Sequence, residues 1–347
     1  MATSVRIAVD AMGGDYGPRI TVPSLAETLH KNTSVSALLF GDQLSLNKHL
    51  SALPDKSLQE RIEVYHCPQQ VEGNDRPSNV IRNKRDSSMA QAIKAVAEGE
   101  ADACISAGNT GALMAFGLLH LKTLPGILRP AICTTMPTMQ GHSYILDLGA
   151  NLDCSPQHLH QFAQLGSLVA GEMDGIANPK VCLLNVGEEE NKGGDDLKQA
   201  AQMMEQDPLI NYCGYLEGDG IFQGKSDVIV CDGFVGNVAL KSSEGLVKMV
   251  SGMFREVITD NWMTRVAAFF MAGNIRRLRA RLDPSHYNGA YLLGLNGVVV
   301  KSHGGANKQA YSNALQVAID AAGHNLPEVL SPILKEKVSK KKVQDEE

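Results

Sequence analysis

Short apolar runs that end in glycine, asparagine or aspartate turns recur along the chain and alternate with helical stretches. The runs cover residues 5–9, 37–40, 103–106, 144–148, 181–185, 228–231 and 298–301. Between them, apolar side chains with helical spacing over 87–98 and 307–322 predict amphipathic helices. Strands that alternate with helices in this way predict an α/β protein with a largely parallel sheet covered by helices on both faces.

We predict one two-lobed α/β catalytic domain over residues 1–335, because no flexible linker interrupts the alternation of strands and helices. A chain of 347 residues buries enough surface to fold without a disulfide or a metal ion. The last residues, 336–347, are mostly charged, and we predict a disordered tail there.

The composition narrows the class of protein. Hydrophobic residues make up 44% of the chain and charged residues 20%, as in ordinary folded proteins of the cytosol. A net charge of -6 argues against a general nucleic-acid binder, which is usually basic. Seven cysteines occur without a C-x-x-C pair, which favours buried thiols in a reducing compartment. No apolar stretch approaches the roughly 20 residues that span a bilayer, and we expect a cytoplasmic protein.

The turns after the apolar runs indicate where a ligand binds. At least five of them mix glycine with asparagine, aspartate or serine. In an open parallel sheet, ligands bind beyond the carboxyl ends of the strands, where helix N-termini favour anions such as phosphate. We therefore expect these turns to converge at one edge of the sheet on a shared anion site. None of them matches a nucleotide-binding or hydrolase motif.

Seven strings resemble one protein family, and they occur in the family's order between about residues 5 and 322. They are AVDAMGGDYGP (8–18), ADACISAGNTGALM (101–114), DLGAN (147–151), LLNVGEEENKG (183–193), DGFVGNVALKSSEG (232–245), YNGAYLLGLNG (287–297) and VKSHGGAN (300–307). The family is PlsX, the acyl-acyl carrier protein:phosphate acyltransferases of phospholipid synthesis. The resemblance implies a three-layer α/β/α sandwich, similar to the phosphate acetyltransferase and isopropylmalate dehydrogenase folds. It also implies a homodimer, association with the membrane surface, and transfer of the product to a membrane glycerol-phosphate acyltransferase.

The implied reaction joins a phosphate oxygen to a thioester carbonyl, which requires placement, oxyanion stabilisation and departure of a thiolate. Lys192 matches the family's lysine in its string and is our first candidate for binding phosphate and stabilising charge. Asn237 is a candidate donor to the oxyanion, or alternatively the N-cap of the following helix. His303 is a candidate acid for the leaving sulfur, or alternatively a structural residue of its turn.

Other residues of these turns are candidates for contact with phosphate or with the pantetheine arm of the donor. They are Asp10, Gly13, Gly14, Asn109, Thr110, Gly111, Asn151, Gly187, Asp232, Gly236 and Gly304. Thr110 serves equally well as a helix cap, and the Asp10 carboxylate suits positioning better than direct contact with an anion. Because Pro156 predicts a helix start between Cys154 and His158, we predict no metal site there, and no cofactor.

Residues 253–282 differ from the rest of the chain and predict a protruding helical hairpin broken at Gly273 and Asn274. Large apolar side chains accompany a cluster of arginines: Trp262, Arg265, Phe269, Phe270, Arg276, Arg277 and Arg279. Three interpretations remain open. The segment lies on an anionic membrane surface, docks the acidic acyl carrier protein, or packs against a second subunit.

Three other functions compete with the one that the resemblance implies. A dehydrogenase of the isopropylmalate type is the weakest of them, because the sequence contains no clear set of metal-binding aspartates. A phosphate acetyltransferase that uses acyl-CoA shares the thioester chemistry and the fold. A non-catalytic scaffold for lipid synthesis at the membrane surface needs only the segment 253–282 and leaves the phosphate-suited turns unexplained.

Overall fold

The computed structural model describes residues 4–282 and 284–345; the side chains of 267, 278–282, 284, 286 and 337–345 lie outside the description. One sheet contains the described strands, in the spatial order β3-β2-β1-β4-β11-β10-β5-β6-β9-β7-β8. The strands are β1 (Val5–Asp10), β2 (Val35–Gly41), β3 (Ile62–His66), β4 (Ala103–Ser106), β5 (Ala131–Thr138), β6 (Gly141–Leu146), β7 (Lys180–Leu184), β8 (Asn211–Leu216), β9 (Val228–Val230), β10 (Ala290–Leu293) and β11 (Val298–Lys301).

Helices cover both faces of this sheet, which confirms the predicted three-layer α/β/α fold. They are α1 (Pro18–Lys31), α2 (Gln43–Ser51), α3 (Pro77–Asn83), α4 (Ser88–Ala97), α5 (Thr110–His120), α6 (Pro156–Asp174), α7 (Asp195–Glu205), α8 (Gly233–Thr259), α9 (Trp262–Phe270), α10 (Ala272–Leu282), α11 (Lys308–Gly323) and α12 (Leu326–Asp345). One hydrophobic core lies between the sheet and α1, α6, α11 and α12. A second core lies on the other face, under α4, α5 and the start of α8.

The strands of the two lobes run in opposite directions. Strands β1, β2, β3, β4 and β11 are parallel to one another, and so are β6, β7, β8 and β9. Three antiparallel pairings in the middle, β11 with β10, β10 with β5, and β5 with β6, reverse the direction. The expectation that all the turns meet at one edge is therefore wrong: the carboxyl ends of the two lobes lie at opposite edges. The sequence pattern missed this because β5 and β10 were not recognised as strands.

The segment 253–282 also differs from the prediction. Helix α8 ends at Thr259, and α9 and α10 follow it, so the segment contains parts of three helices instead of two. The chain turns at Asn261, whose side chain accepts a hydrogen bond from the backbone N–H of Thr264 (3.0 Å) and caps α9. Gly273 and Asn274, the predicted break, lie inside the first turn of α10, where glycine is tolerated.

The charged end of the chain is helical as far as Asp345, since α12 continues through most of the predicted tail. No glycine or proline follows Pro332, and the lysine and glutamate residues there are good helix formers. Among the helices of residues 4–282 and 284–345, none combines the length and the apolar character needed to cross a bilayer.

Candidate active site

The turns of the first lobe are organised around the carboxylate of Asp10, at the end of β1. Asp10 is 1% exposed and accepts hydrogen bonds from Ser88 Oγ and Ser106 Oγ, both at 2.6 Å. Burial raises the pKa of Asp10, and the two serine hydroxyls act in the opposite direction. Asp10 therefore fixes the turns from inside, in agreement with a positioning role, and does not face an anion in solvent.

Glycine is required where these turns approach one another. A methyl group on Gly13 would lie 2.7 Å from both Asp10 Oδ2 and the backbone nitrogen of Gly108. Gly14 has φ +85, a conformation that favours glycine. The backbone N–H of Asp15 donates to the carbonyl of Gly304 at 2.9 Å. The turns after β1, β4 and β11 are thus packed into one unit.

Asn109, and not Thr110, caps helix α5. Its Oδ1 accepts from the N–H of Ala112 at 2.9 Å, and its Nδ2 donates to the carbonyls of Gly73 (2.8 Å) and Asp75 (3.2 Å). A methyl group on Gly111 would meet the Pro77 ring at 2.8 Å. The segment 73–77 therefore covers the start of α5, and both polar atoms of Asn109 are already engaged.

In the second lobe, Asp147 has the role that Asp10 has in the first. Its carboxylate is buried and accepts from the N–H groups of Ile132 (2.8 Å), Ala150 (3.1 Å) and Asn151 (2.7 Å). Asn151 is itself buried, and its Nδ2 donates to Asp147 Oδ2 and to the Pro130 carbonyl, both at 2.9 Å. Asn151 therefore ties the turn from within.

Asp232, and not Asn237, caps helix α8. Asp232 Oδ1 accepts from the N–H groups of Phe234 (2.9 Å) and Val235 (3.0 Å). Asn237 lies one turn into the helix and is exposed, and a methyl group on Gly149 would be 3.5 Å from Asn237 Cβ. The alternative that Asn237 is the N-cap is therefore wrong.

Helix α8 connects the two groups of turns. Lys241 follows Asn237 by four residues, which puts both side chains on one face of the helix, about 6 Å apart. Lys241 Nζ lies 3.5 Å from His303 Nε2, in the turn after β11. His303 Nδ1 accepts from the N–H of Gly305 at 3.0 Å, which assigns the ring proton to Nε2. Burial, and then the charge of Lys241, lowers the pKa of His303, so that the ring is neutral at pH 7.

Lys301, the last residue of β11, lies beside this contact. Its Nζ donates to the carbonyl of Ala107 at 3.4 Å and to the carbonyl of Ser302. The pKa of Lys301 is lowered to about 8, first by burial and then by the charge of Lys241, against the opposing charges of Asp10 and Asp15.

Lys192 lies at the same edge of the sheet as the start of α8, because β7 is parallel to its neighbour β9. The side chain is exposed, and the backbone N–H donates to the carbonyl of Glu189 at 3.0 Å. A methyl group on Gly187 would lie 3.0 Å from Lys192 Cγ. The absence of a side chain at Gly187 therefore leaves space for the side chain of Lys192. Lys192 and Asn237 thus share one edge, and His303 lies in the turns of the other lobe.

Comparisons with known proteins agree with this fold. A family described as "Fatty acid synthesis protein" matches residues 5–329. The chain belongs to this family. Two similar relatives are named phosphate acyltransferase: one from Nitrosococcus oceani is 49% identical over 328 residues, covering 94% of this chain and 96% of its own. The other, from Shewanella halifaxensis, is 47% identical over 330 residues, covering 94% and 96%.

Solved structures show the same fold at low sequence identity. A phosphotransacetylase from Streptococcus pyogenes has a TM-score of 0.63 at 16% identity, covering 92% of this chain and 94% of that one. A phosphotransacetylase from Staphylococcus aureus has a TM-score of 0.58 at 18% identity, covering 94% and 96%. Together with the relatives, these findings confirm the predicted family, fold and class of enzyme, an acyltransferase.

The family strings also contain residues that the sequence analysis missed. Asp147, Lys241, Asn288 and Lys301 belong to the quoted strings, but the prediction considered glycine turns more than the cations beside them. Asn288 joins the turns of the first lobe, since its Oδ1 accepts from the N–H of His303 at 2.9 Å and its Nδ2 donates to Ser302 Oγ at 2.9 Å. Only its place in the string 287–297 could have drawn attention to it.

Proposed function

We propose that the protein transfers a fatty acyl group from acyl carrier protein to inorganic phosphate, and that the resulting acyl phosphate enters phospholipid synthesis. One observation carries the location of the reaction: α8 presents Asn237 and Lys241 on one face, against His303. This arrangement supports the proposal, because an amide donor and a cation share one helix face and the cation contacts a neutral imidazole donor. Such groups suit a reaction that develops an oxyanion and expels a thiolate.

The step itself is a displacement at the thioester carbonyl. A phosphate oxygen forms the new C–O bond, and the C–S bond breaks with its electron pair on the pantetheine sulfur. The Asn237 amide donates to the carbonyl oxygen as negative charge develops. The sulfur leaves as the thiolate, since such a thiol has a pKa of about 8.5, and the neutral His303 donates a hydrogen bond from Nε2–H without giving up its proton. Lys192 stabilises charge from the neighbouring turn. Because phosphate is already anionic, no group is needed to deprotonate it.

The test uses purified protein with phosphate and either palmitoyl-acyl carrier protein or palmitoyl-CoA. Acyl phosphate is trapped with hydroxylamine and measured as the hydroxamate. We expect kcat/KM with the carrier-protein donor to exceed that with CoA by at least about tenfold, about 1.4 kcal/mol of transition-state binding. Equal or better turnover of acyl-CoA would identify the CoA-dependent acetyltransferase type, and no acyl phosphate from either donor would refute the proposal.

Association with an anionic membrane on the cytoplasmic side, and with a second copy of the chain, belongs to the same proposal. The apolar side chains of α9 are strongly exposed, including Trp262 at 73%, Phe269 at 77% and Phe270 at 82%. Exposed Arg276 and Arg277 lie on α10. Such a combination favours burial in a membrane interface or against a partner. The acyl phosphate then passes, through transient contact, to a membrane glycerol-phosphate acyltransferase.

Two of the predicted contact arginines are not included in this proposal, for different reasons. The guanidinium of Arg265 donates to the carbonyl of Thr259 through Nε (3.2 Å) and Nη2 (3.1 Å), and so stabilises the end of α8. The side chain of Arg279 lies outside the described residues. Arg276 and Arg277 therefore carry the proposed contact with lipid headgroups or with the acidic carrier protein.

A further inference from the structure

Three nitrogen-bearing side chains lie near one another beside α8, and none of them belongs to the turn that contains Lys192. Lys241 comes from α8, Lys301 from the end of β11, and His303 from the turn that follows. Lys241 Nζ is 3.5 Å from His303 Nε2, and Lys301 is held against the turns by the carbonyls of Ala107 and Ser302. The strands and helices that bring them together belong to both lobes.

Two of these groups are hydrogen-bond donors that face each other. His303 accepts through Nδ1, from Gly305 N–H, so its Nε2 carries a hydrogen. The Lys241 ammonium has only donors. Two donors at 3.5 Å do not satisfy each other, but an oxygen atom with several lone pairs accepts from both. The side chain of Lys241 is 49% exposed. A movement of its Nζ by about 1 Å away from His303 therefore makes room for such an oxygen.

Three carboxylates lie near this cluster, and one of them, Glu244, forms an ion pair with it. Lys241 Nζ forms an ion pair with Glu244 at 3.0 Å, whereas Lys301 forms none within residues 4–282 and 284–345. The carboxylate of Asp10 is already bound by two serine hydroxyls. Asp15 is exposed and lies against Gly305, where a methyl group would be 3.3 Å from its Oδ2. The starts of α5 and α11 add partial positive charge at the same turns, which favours an anion there despite these carboxylates.

We propose that Lys241, Lys301 and His303 hold the inorganic phosphate acceptor, with one phosphate oxygen between Lys241 Nζ and His303 Nε2. The assignment rests on the proposed function, and it moves the phosphate from the turn at Lys192 to the junction of the two lobes. Asn237, one helical turn from Lys241, then lies where the thioester carbonyl would meet the bound phosphate. In this arrangement Lys192 remains on the side of α8 where the acyl donor binds.

The test measures binding of inorganic phosphate to the full-length protein without an acyl donor, by isothermal titration calorimetry. Lys241→Met and Lys301→Met remove one cation each and keep the length of the side chain. We expect each to weaken the phosphate Kd by about tenfold or more, because each removes a charged donor. Lys31→Met is the matched control: this lysine also pairs with one glutamate, Glu27 at 2.9 Å, but it is the last residue of α1, and its loss should change Kd by less than about twofold. Lys241→Arg should restore most of the affinity.

Lys241 is exposed, so its substitution tests the proposal even if Lys301→Met does not fold; circular dichroism of each variant checks this. Phosphate binding by Lys241→Met with the wild-type Kd would overturn the proposal, and so would a wild-type protein that binds no phosphate. The proposed function is decided separately by the formation of acyl phosphate. A wild type that forms acyl phosphate, with a Lys241→Met variant that keeps its phosphate affinity, would refute the phosphate site alone.

Discussion

Replacing Gly236 by alanine tests whether the junction between α8 and the turn after β6 sets the position of the catalytic groups. Gly236 lies in the first turn of α8 and is buried. A methyl group there would overlap the carbonyl oxygen of Asp147 and would lie 2.9 Å from Cys231 Sγ. Neither neighbour can move easily, since one is backbone and the other is a buried thiol. The helix itself must therefore shift, and Asn237 with it.

The expected cost follows from this overlap. Forcing a methyl group into a packed site typically costs about 1–3 kcal/mol, and the shift also loosens the Asp232 cap, which is worth about 1 kcal/mol. We expect Gly236→Ala to lower the free energy of unfolding by about 3 kcal/mol. Gly245→Ala is the control, because Gly245 lies on the same helix with no atom within 4 Å of the new methyl group. There alanine should stabilise the helix by up to about 1 kcal/mol.

The measurement is the midpoint of thermal unfolding, combined with the rate of acyl phosphate formation for each variant. Gly236→Ala should lower Tm by about 5 °C or more and reduce kcat by more than tenfold, whereas Gly245→Ala should leave both within error or raise Tm slightly. If Gly236→Ala unfolds at the wild-type temperature and keeps full activity, then the close packing at Asp147 does not position α8, and the reasoning is wrong.

Three further predictions concern charge. Lys192→Ala should lower kcat by about a hundredfold with normal circular dichroism. The control is Lys225→Ala, which removes a lysine that pairs with Glu188 and should have full activity. Equal rates for the two variants would remove Lys192 from the mechanism. Arg276→Glu combined with Arg277→Glu should raise KM for acyl carrier protein or release the protein from anionic vesicles, and an unchanged result in both assays would mean a merely solvated surface. Sulfate, whose charge stays constant, should bind well below pH 8 and lose affinity above it, because the pKa of Lys301 is about 8 and only the protonated amine attracts an anion; a flat profile would count against Lys301.

The sequence predicted the layers of the fold better than the direction of its strands. Every apolar run became a strand within a few residues, because buried parallel strands are short and continuously apolar. Two strands were not predicted from the sequence: β10, which lies inside the string 287–297, and β5, which forms a hairpin with β6. Those two strands reverse the sheet between the lobes, and no local pattern reports whether a neighbouring strand is parallel.

Individual site residues were predictable only where their role depends on chain neighbours. Asp232 directly precedes a helical stretch in the sequence, a position typical of an N-cap, and it caps α8 through its side chain. The contact between Lys241 and His303 joins residues 62 positions apart, and it exists because α8 runs from one edge of the sheet toward the other. Sequence spacing contains no sign of such a contact, so the cations of the cluster could be found only in three dimensions.

Each lobe holds its turns in place around one buried carboxylate. Asp10 and Asp147 are both buried carboxylates at the ends of central strands, and each collects hydrogen bonds from the turns around it. A glycine is pressed against each of them: a methyl group would lie 2.7 Å from Asp10 Oδ2 at Gly13 and 2.9 Å from Asp147 Oδ2 at Gly233. Buried charge is costly unless it is fully hydrogen-bonded, so these carboxylates tolerate little movement of the turns. Rigid turns in both lobes then hold α8 at its start and His303 at the far side, so the backbone positions of Asn237, Lys241 and His303 are set by the scaffold before any substrate binds.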